Sequence, residues 1–160
     1  MTKFEQAVAV ILHHEGVYVN DPRDPGGETK YGISKRAYPN ENIKNLTVER
    51  AKQIYRRDYW DRLRCDQMPY GVALTAFDFG VNAGVGVAAR MLQGIVGASN
   101  DGIIGPASLR AINAKDPAVL LRDYTTERLR YYSGLNGWKH YSKGWTRRIL
   151  SVYKSALKSS

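Results

Sequence analysis

An amphipathic helix that stops at a carboxylate constrains this chain more than any other feature. Apolar side chains recur at helical spacing near the N-terminus and predict a helix from about residue 3 to residue 14. These side chains are Phe4, Ala7, Val8, Ile11 and Leu12. Thr2 and Glu5 match a capping box at its start. At its end, Gly16 is predicted to adopt the left-handed conformation of a C-cap, which leaves the Glu15 side chain at a rim between core and solvent.

Glu15 is therefore a candidate general acid. Partial burial disfavours the ionised carboxylate, and the negative end of the helix dipole acts in the same direction. A general acid has to hold its proton near neutral pH, so such a position suits that role. The alternative is an exposed terminal Glu that only aids solubility.

A turn-rich polar segment follows the helix. The turn signals Asp21-Pro22 and Asp24-Pro25-Gly26-Gly27 separate residues 17–20 from residues 28–33, and they predict a short hairpin or an ordered loop. This segment can fold back over the end of the helix. Asp21 and Asp24 are alternatively Asx turns, in which the carboxylate binds its own backbone.

Such a fold-back would place Asp24 and Thr29 across a cleft from Glu15, as a second carboxylate and as a hydroxyl that orients water. Glycosidases use two carboxyl groups, about 5–5.5 Å apart for retention or about 6.5–9.5 Å apart for inversion. The sequence leaves both stereochemical courses open.

Three stretches of the chain carry a resemblance to a known family. Residues 15–22, 24–29 and 31–33 read EGVYVNDP, DPGGET and YGI, and together they closely resemble the glycoside hydrolase family 108 N-acetylmuramidases. The family usually has Glu-Gly-Gly-Tyr, and Val17 takes the third place here. Residues 76–84, AFDFGVNAG, resemble the second family block. Residues 100–106, NDGIIGP, resemble the start of the peptidoglycan-binding region of these enzymes.

The resemblance implies an endolysin with a lysozyme-like α+β fold that hydrolyses the β-1,4 bond between N-acetylmuramic acid and N-acetylglucosamine in bacterial peptidoglycan. It implies that Glu15 is the catalytic acid. The spacing of Glu15, Asp24 and Thr29 also resembles the triad of phage-type lysozymes, with the last gap one residue shorter. A lytic transglycosylase and a peptidoglycan-binding protein without turnover stay open as alternatives.

The rest of the chain is predicted to be helical, which makes the fold class mainly α with one small β ribbon or ordered loop beside the active-site cleft. Helices are predicted from Thr47 to about Trp60, over 70–83, over 86–96, from Pro106, over 117–132 and over 141–157. We expect a catalytic lobe over residues 1–90 and a helical peptidoglycan-binding-like lobe over 91–160, packed together as one compact unit.

Substrate-binding residues are predicted from polar and aromatic side chains near the cleft segments. Asn82 is placed on the cleft floor. Six aromatic residues near the cleft segments offer flat rings that can stack on sugars: Tyr18, Tyr31, Tyr55, Tyr59, Trp60 and Tyr70. We expect about two of the six to contact substrate and several to lie in the core; the sequence does not select the two, and Tyr18, Tyr31 and Tyr59 are named as candidates. Asp78 lies beside a buried helical stripe, and we interpret it as a structural hydrogen-bond acceptor. The alternative places Asp78 on the cleft floor with Asn82.

The charge of the chain favours an anionic partner. The formal net charge is +9, and residues 128–160 hold eight basic residues and no acidic one.

The last predicted helix is expected to bury an apolar stripe of Trp145, Ile149, Val152, Tyr153 and Ala156. Its cations are expected to face outward toward anionic wall or membrane surfaces; they are Lys143, Arg147, Arg148, Lys154 and Lys158. Nucleic acid is disfavoured because no binding motif is recognised, and the alternative is a merely solvated face.

No metal or cofactor is expected. Cys65 is the single cysteine, His13 and His14 point to different helix faces, and His140 is remote from both. We expect a monomer. Neither a signal peptide nor an apolar run of about 20 residues is seen. The resemblance suggests synthesis in the host cytoplasm and release to the wall through a holin.

Overall fold

The computed structural model describes residues 1–23 and 26–158. The chain forms two compact units, Met1–Asp58 and Tyr59–Ser160. Within the described ranges the mainly α architecture with one small antiparallel ribbon is confirmed. The division expected at residues 90 and 91 concerns the roles of the two lobes and stays a prediction.

The first helix, α1 (Lys3–His14), begins and ends where the sequence predicts. Oγ1 of Thr2 accepts a hydrogen bond from the Glu5 N–H at 3.1 Å, and the Glu5 carboxylate accepts one from the Thr2 N–H at 2.9 Å. Both halves of the capping box are therefore present. The buried residues of α1 are Phe4, Ala7, Val8 and Ile11.

The end of α1 differs from the prediction. Glu15 itself is the C-cap, with extended backbone (φ −86°, ψ 133°) and its N–H bonded to the Ile11 carbonyl oxygen at 2.9 Å. Gly16 is not among the residues with positive φ, so the left-handed C-cap predicted there is wrong. Because an extended Glu15 already takes the chain out of the helical path, no left-handed residue is needed.

The ribbon consists of β1 (Thr29–Lys30) and β2 (Ile33–Ser34), which pair antiparallel with Lys30 opposite Ile33. The two residues between the strands, Tyr31 (φ 52°) and Gly32 (φ 80°), are both left-handed, as a tight type I′ hairpin turn requires. Val19 pairs with Thr29 through two hydrogen bonds of 2.8 Å. The pairing of residues 17–20 with the segment after the turn signals is therefore confirmed at Val19 and Thr29. The expectation that residues 28–33 form one side of the hairpin is wrong, because the ribbon turns within them at Tyr31 and Gly32.

The second helix, α2 (Val48–Tyr55), begins at Thr47, whose hydroxyl accepts a hydrogen bond from the Arg50 N–H at 3.1 Å. A π-helical turn, Arg56–Trp60, carries the chain to the end that the sequence predicts for this helix. Tyr55 is buried, and its hydroxyl donates to the Tyr31 carbonyl oxygen at 2.6 Å. This bond ties α2 to the hairpin turn.

The second unit holds α3 (Tyr70–Ala83), α4 (Val85–Val96), α5 (Pro106–Asn113), α6 (Pro117–Ser133) and α7 (Trp138–Lys158). Each of these helices overlaps its predicted range. Residues 70–80 of α3 are all buried, and α3 contacts α4, α6 and α7. A helix that is apolar on nearly every side belongs at the centre of a core.

A buried ion-pair cluster joins three of these helices. Asp78 on α3 is fully buried; its Oδ2 accepts from Nη2 of Arg128 on α6 at 2.6 Å, and its Oδ1 from Nη2 of Arg148 on α7 at 2.7 Å. Burial by itself would raise the pKa of Asp78, but the two guanidinium groups outweigh it and hold the pKa below its ordinary value. The interpretation of Asp78 as a structural acceptor is confirmed.

Arg148 corrects the prediction for α7. The sequence places it among the outward cations, whereas its side chain is only 19% exposed and bonds to Asp78. A buried carboxylate makes the inward position favourable, because each charge would otherwise be desolvated without a partner. The exposed cations of α7 are Lys139, Lys143, Arg147, Lys154 and Lys158. The buried residues of α7 are Ile149, Val152 and Ala156.

No helix in the described part of the chain is both long enough and apolar enough to cross a membrane.

We expect Asp78→Asn to lower the free energy of unfolding by about 3–5 kcal/mol, because two inward guanidinium groups lose their counter-charge. A carboxyl group whose folded pKa is lowered stabilises the fold above its unfolded pKa of about 3.9, and this contribution is lost as pH falls through the folded pKa. The stability gap between wild type and Asp78→Asn should therefore narrow in acid. Urea unfolding of both proteins between pH 7 and pH 3 measures this.

The matched control is Asp123→Asn, which removes a partly exposed carboxylate on α6 that pairs with its neighbour Arg122. This change should stay within about 0.5 kcal/mol of wild type. Equal stability of the two variants at pH 7 would contradict the contribution to the free energy of unfolding that we assign to the buried ion-pair cluster.

Candidate active site

Glu15 follows α1 directly, and its side chain is half-buried, at the rim position that the sequence predicts. The backbone on its C-terminal side is held as well, because the Tyr31 N–H donates to the Gly16 carbonyl oxygen at 3.1 Å. The hairpin turn is thereby bonded to the residue next to Glu15.

Gly32 lies against the end of the Glu15 side chain. A Cβ atom on Gly32 would lie 2.8 Å from Cγ and 3.0 Å from Cδ of Glu15, and it would also overlap the Tyr55 hydroxyl. The backbone at Gly32 is left-handed, with φ +80°. Only glycine satisfies both the conformation and the close approach. Gly32 therefore lies close both to Glu15, at the end of α1, and to Tyr55 of α2.

Tyr18 is held in place by a hydrogen bond to Glu28. Its hydroxyl donates to Oε2 of Glu28 at 2.7 Å, and the ring is half-buried. The hydrogen bond to Glu28 raises the pKa of Tyr18, so the phenol stays protonated and keeps its donor role at neutral pH.

The other polar residues of the turn-rich segment to which the sequence assigns a role are Thr29, Asp21 and Asp24. Thr29 is half-buried, and its backbone N–H and carbonyl both bond to Val19. Oδ1 of Asp21 accepts from the Arg23 N–H at 3.0 Å, which confirms the Asx-turn interpretation for Asp21. Asp24 lies outside the described residues, so its role as a second carboxylate stays a prediction.

The aromatic residues near the predicted cleft segments divide into two groups. The buried ones are Tyr55, Trp60 and Tyr70. The half-exposed ones are Tyr18, Tyr31 and Tyr59, which are the three named as candidates to stack on sugars. Tyr18 and Tyr31 belong to the first unit and Tyr59 to the second.

Asn82, also in the second unit, is exposed near the end of α3. With its amide oriented to satisfy the neighbouring donors, Oδ1 accepts from Nη2 of Arg128 at 3.0 Å and from Nε of Arg148 at 3.3 Å. Asn82 therefore extends the buried Asp78 cluster toward the surface.

Sequence reasoning missed the roles of Gly32 and Tyr55. Gly32 stands in the motif YGI, within the segment 28–33 that the sequence predicts as one side of the hairpin, and a glycine inside such a segment is a signal for a bulge or a close backbone approach. Nothing in the local sequence indicates that this turn would rest on Glu15, because the contact joins residues from separate elements.

Among residues 1–23 and 26–158, no group of three or more His, Cys, Asp or Glu side chains is placed to hold a metal ion.

Comparison with known proteins agrees with the resemblance noted from the motifs. The family model described as glycosyl hydrolase 108 matches residues 8–84, and the model described as a predicted peptidoglycan domain matches residues 87–150. A solved structure, that of SagA from Brucella abortus, is 34% identical and superposes with a TM-score of 0.90. The match covers 98% of this chain and 95% of that chain. No curated protein matches the chain.

We expect Gly32→Ala to reduce peptidoglycan hydrolysis sharply, because the new methyl group must displace the Glu15 carboxyl end or the Tyr55 hydroxyl. The left-handed backbone adds about 1–2 kcal/mol of strain. Thermal unfolding followed by circular dichroism measures the loss of stability, and release of soluble sugar fragments from purified peptidoglycan measures activity.

Gly16→Ala provides the control, since Gly16 has no positive φ and a Cβ there meets nothing within 4 Å. It should keep wild-type stability and activity. An equally active Gly32→Ala protein would show that the turn does not position Glu15.

Proposed function

This chain belongs to glycosyl hydrolase family 108, and we propose that it hydrolyses the β-1,4 bond between N-acetylmuramic acid and N-acetylglucosamine, with Glu15 as the general acid. The chain is a glycoside hydrolase with a peptidoglycan domain over residues 87–150, and peptidoglycan is accordingly its substrate. The observation that carries the proposal for Glu15 is its position. Its carboxyl group is half-buried at the end of α1, and the hairpin turn at Gly32 packs against the end of the side chain.

In the proposed reaction, Glu15 donates its proton to the glycosidic oxygen as the bond to the anomeric carbon breaks. Positive charge develops on the sugar ring in an oxocarbenium-like transition state. Water supplies the oxygen that ends on the anomeric carbon, and its proton returns the site to its starting state. Asp24 acts either as the nucleophile or as the base that activates this water, and Thr29 orients the water.

Packing around Glu15 supports this role. A general acid works through the geometry of one proton transfer, so a carboxyl group confined by neighbouring atoms loses less freedom at the transition state than a mobile one. The hairpin turn at Gly32 supplies that confinement, and the Tyr55 hydroxyl holds the turn through its bond to the Tyr31 carbonyl oxygen. Tyr18, Tyr31, Tyr59 and Asn82 are proposed to contact the sugar chain.

We further assign residues 1–90 to catalysis and residues 91–160 to peptidoglycan binding, and the change of family model between residues 84 and 87 supports this division. Action as a monomer and the role of an endolysin, released from the host cytoplasm through a holin, are also proposed. The endolysin role rests on the family resemblance alone.

Glu15→Gln is expected to lower turnover by at least about a hundredfold, because the amide has no proton to transfer to the leaving oxygen. The fold should be retained. Release of sugar fragments from purified peptidoglycan measures turnover, and circular dichroism checks folding. Glu49→Gln removes an exposed carboxylate of the first unit and should leave turnover unchanged.

Near-normal turnover by folded Glu15→Gln would refute the mechanism.

We expect Asp24→Asn to lower the rate with little change in melting temperature, and Thr29→Ala to do the same more mildly. If Asp24→Asn instead mainly destabilises the fold, the Asx-turn interpretation holds for Asp24 and another group assists Glu15.

Mass spectrometry of the digested peptidoglycan separates the alternatives. Hydrolysis adds the mass of water and leaves a reducing N-acetylmuramic acid end. A lytic transglycosylase leaves an anhydro end without added water, and a protein that only binds leaves no fragments.

The basic face of α7, defined here as Lys143, Arg147 and Lys154, is proposed to hold the enzyme on anionic wall or membrane surfaces. All three side chains are exposed, and residues 128–160 contain no acidic residue. Clustered charges of one sign attract an oppositely charged polymer over distances longer than direct contact. Arg148 is excluded from this face because it bonds to Asp78.

Changing the three cations of the basic face to Glu is expected to weaken binding to purified wall at low salt and to spare cleavage of a short neutral oligosaccharide. Attraction between exposed charges is screened beyond about 8 Å at physiological ionic strength, so wild-type binding should fall steeply with added salt. Sedimentation with wall fragments across a salt series measures this.

Charge-matched reversal of the exposed cations Lys44, Arg62 and Lys115 serves as the control. It alters net charge equally and leaves the basic face intact. Equal loss of binding in both triple variants would mean that total charge, and not this face, governs wall attachment.

A further inference from the structure

A cavity of about 460 Å³ opens within the second unit. One wall is polar and is made by Asn82, Arg128 and Arg148; the other is aromatic and includes Tyr131, Tyr132 and Trp145. No acidic side chain is among the described residues that line it. This volume lies in the range of small-ligand sites, and the combination of an apolar wall with a few fixed polar groups is typical of them.

The polar wall is cationic. The Asp78 carboxylate is shared by two guanidinium groups, those of Arg128 and Arg148. Moreover, Nε of Arg128 is buried, and no atom in the described part of the chain accepts a hydrogen bond from it. Buried donors are nearly always paired, so an unpaired one beside a cavity points to a ligand that supplies the acceptor.

The guanidinium of Arg128 is also fixed in place. Its central carbon lies 5.2 Å from the Phe79 ring centroid and 5.5 Å from that of Tyr132, and the residue is 1% exposed. A cation that packs against two rings and pairs with Asp78 is already held in one orientation. Guanidinium groups bind carboxylates through charge-assisted hydrogen bonds that are stronger than neutral ones.

We propose that this cavity binds the free carboxylate of a peptide attached to the sugar chain of peptidoglycan. The carboxylate faces Arg128 and Arg148, and the apolar part of the peptide lies against Tyr131 and Trp145. A neutral amino-sugar chain offers no anion, whereas its peptide substituents do. The inference rests on the proposed function in taking peptidoglycan as the source of the ligand, and Arg128, Tyr131, Trp145 and Arg148 all fall within the match to the peptidoglycan domain.

The probe is N-acetylmuramyl-L-alanyl-D-isoglutamine, which has a free carboxylate and a single sugar, so it contains no bond for the proposed hydrolase to cut. Its amidated form is the matched neutral ligand. Calorimetric titration gives both affinities, and the Trp145 indole N–H resonance reports the site. We expect the acid to bind at least about tenfold more tightly than the amide, a difference of about 1.4 kcal/mol.

Inorganic phosphate is titrated as a second anion, since wall polymers also carry phosphate. Weaker binding of phosphate than of the acid supports the peptide assignment. Phosphate binding as tight as that of the acid, or equal binding of acid and amide, overturns it.

Two variants locate the site. Arg148→Gln should weaken binding of the acid about tenfold, whereas Arg110→Gln, the same change at an exposed position on α5, should not. Because Arg148 also bonds to Asp78, its loss can disturb the fold, so Asn82→Asp is the second variant. It places a carboxylate at the position from which Asn82 Oδ1 reaches both guanidinium groups, and it adds a negative charge there without loss of volume.

Asn82→Asp should stay folded, lose the preference for the acid and keep its affinity for the amide. Tight binding of the acid by folded Asn82→Asp overturns the proposal. These assays need no turnover, so the two proposals fail separately. A wild-type protein that cleaves peptidoglycan but binds acid and amide equally refutes the pocket alone. One that prefers the acid but releases no fragments refutes the hydrolase alone.

Discussion

The carboxylate of Asp78 organises the second unit. It is fully buried on the central helix α3, and a charge in that position is tolerated only if partners replace its lost hydration. Arg128 of α6 and Arg148 of α7 provide them, which sets the relative position of three helices. The same pairing turns Arg148 away from the surface and leaves it beside Arg128 under Asn82, so the polar wall of the cavity follows from one buried acid.

These ion pairs also cross the junction between the two family matches. Asp78 lies in the segment matched by the glycosyl hydrolase 108 model, and both arginines lie in the segment matched by the peptidoglycan domain model. Two segments that sequence comparison separates thus share one core within the second unit. Separate expression of the peptidoglycan domain would leave its two arginines without their buried counter-charge.

The first unit positions one carboxyl group, that of Glu15. Helix α1 places the backbone of Glu15, and the hairpin turn confines the end of its side chain. Tyr55 of α2 holds that turn by a hydrogen bond to the Tyr31 carbonyl oxygen. A left-handed turn with glycine at its second position is what allows the backbone to come so close. The long motif around Glu15 therefore has a physical reason, since its residues build the turn as well as supply the functional side chains.

Local sequence signals determined much of this protein. Capping at Thr2 and Thr47, the proline that opens α5, and apolar periodicity define helices that overlap those observed, because each depends on neighbouring residues only. The tertiary structure alone decided three further points: the extended Glu15 that replaces a glycine cap, the contact of Gly32 with Glu15, and the inward Arg148. Arg148 and Asp78 are 70 residues apart in the sequence. A helical pattern predicts that an arginine faces outward unless a partner on another helix is known. Periodicity reports which face of a helix is apolar, but desolvation of a charge and the close approach of two backbones depend on what lies opposite, which only the folded chain specifies.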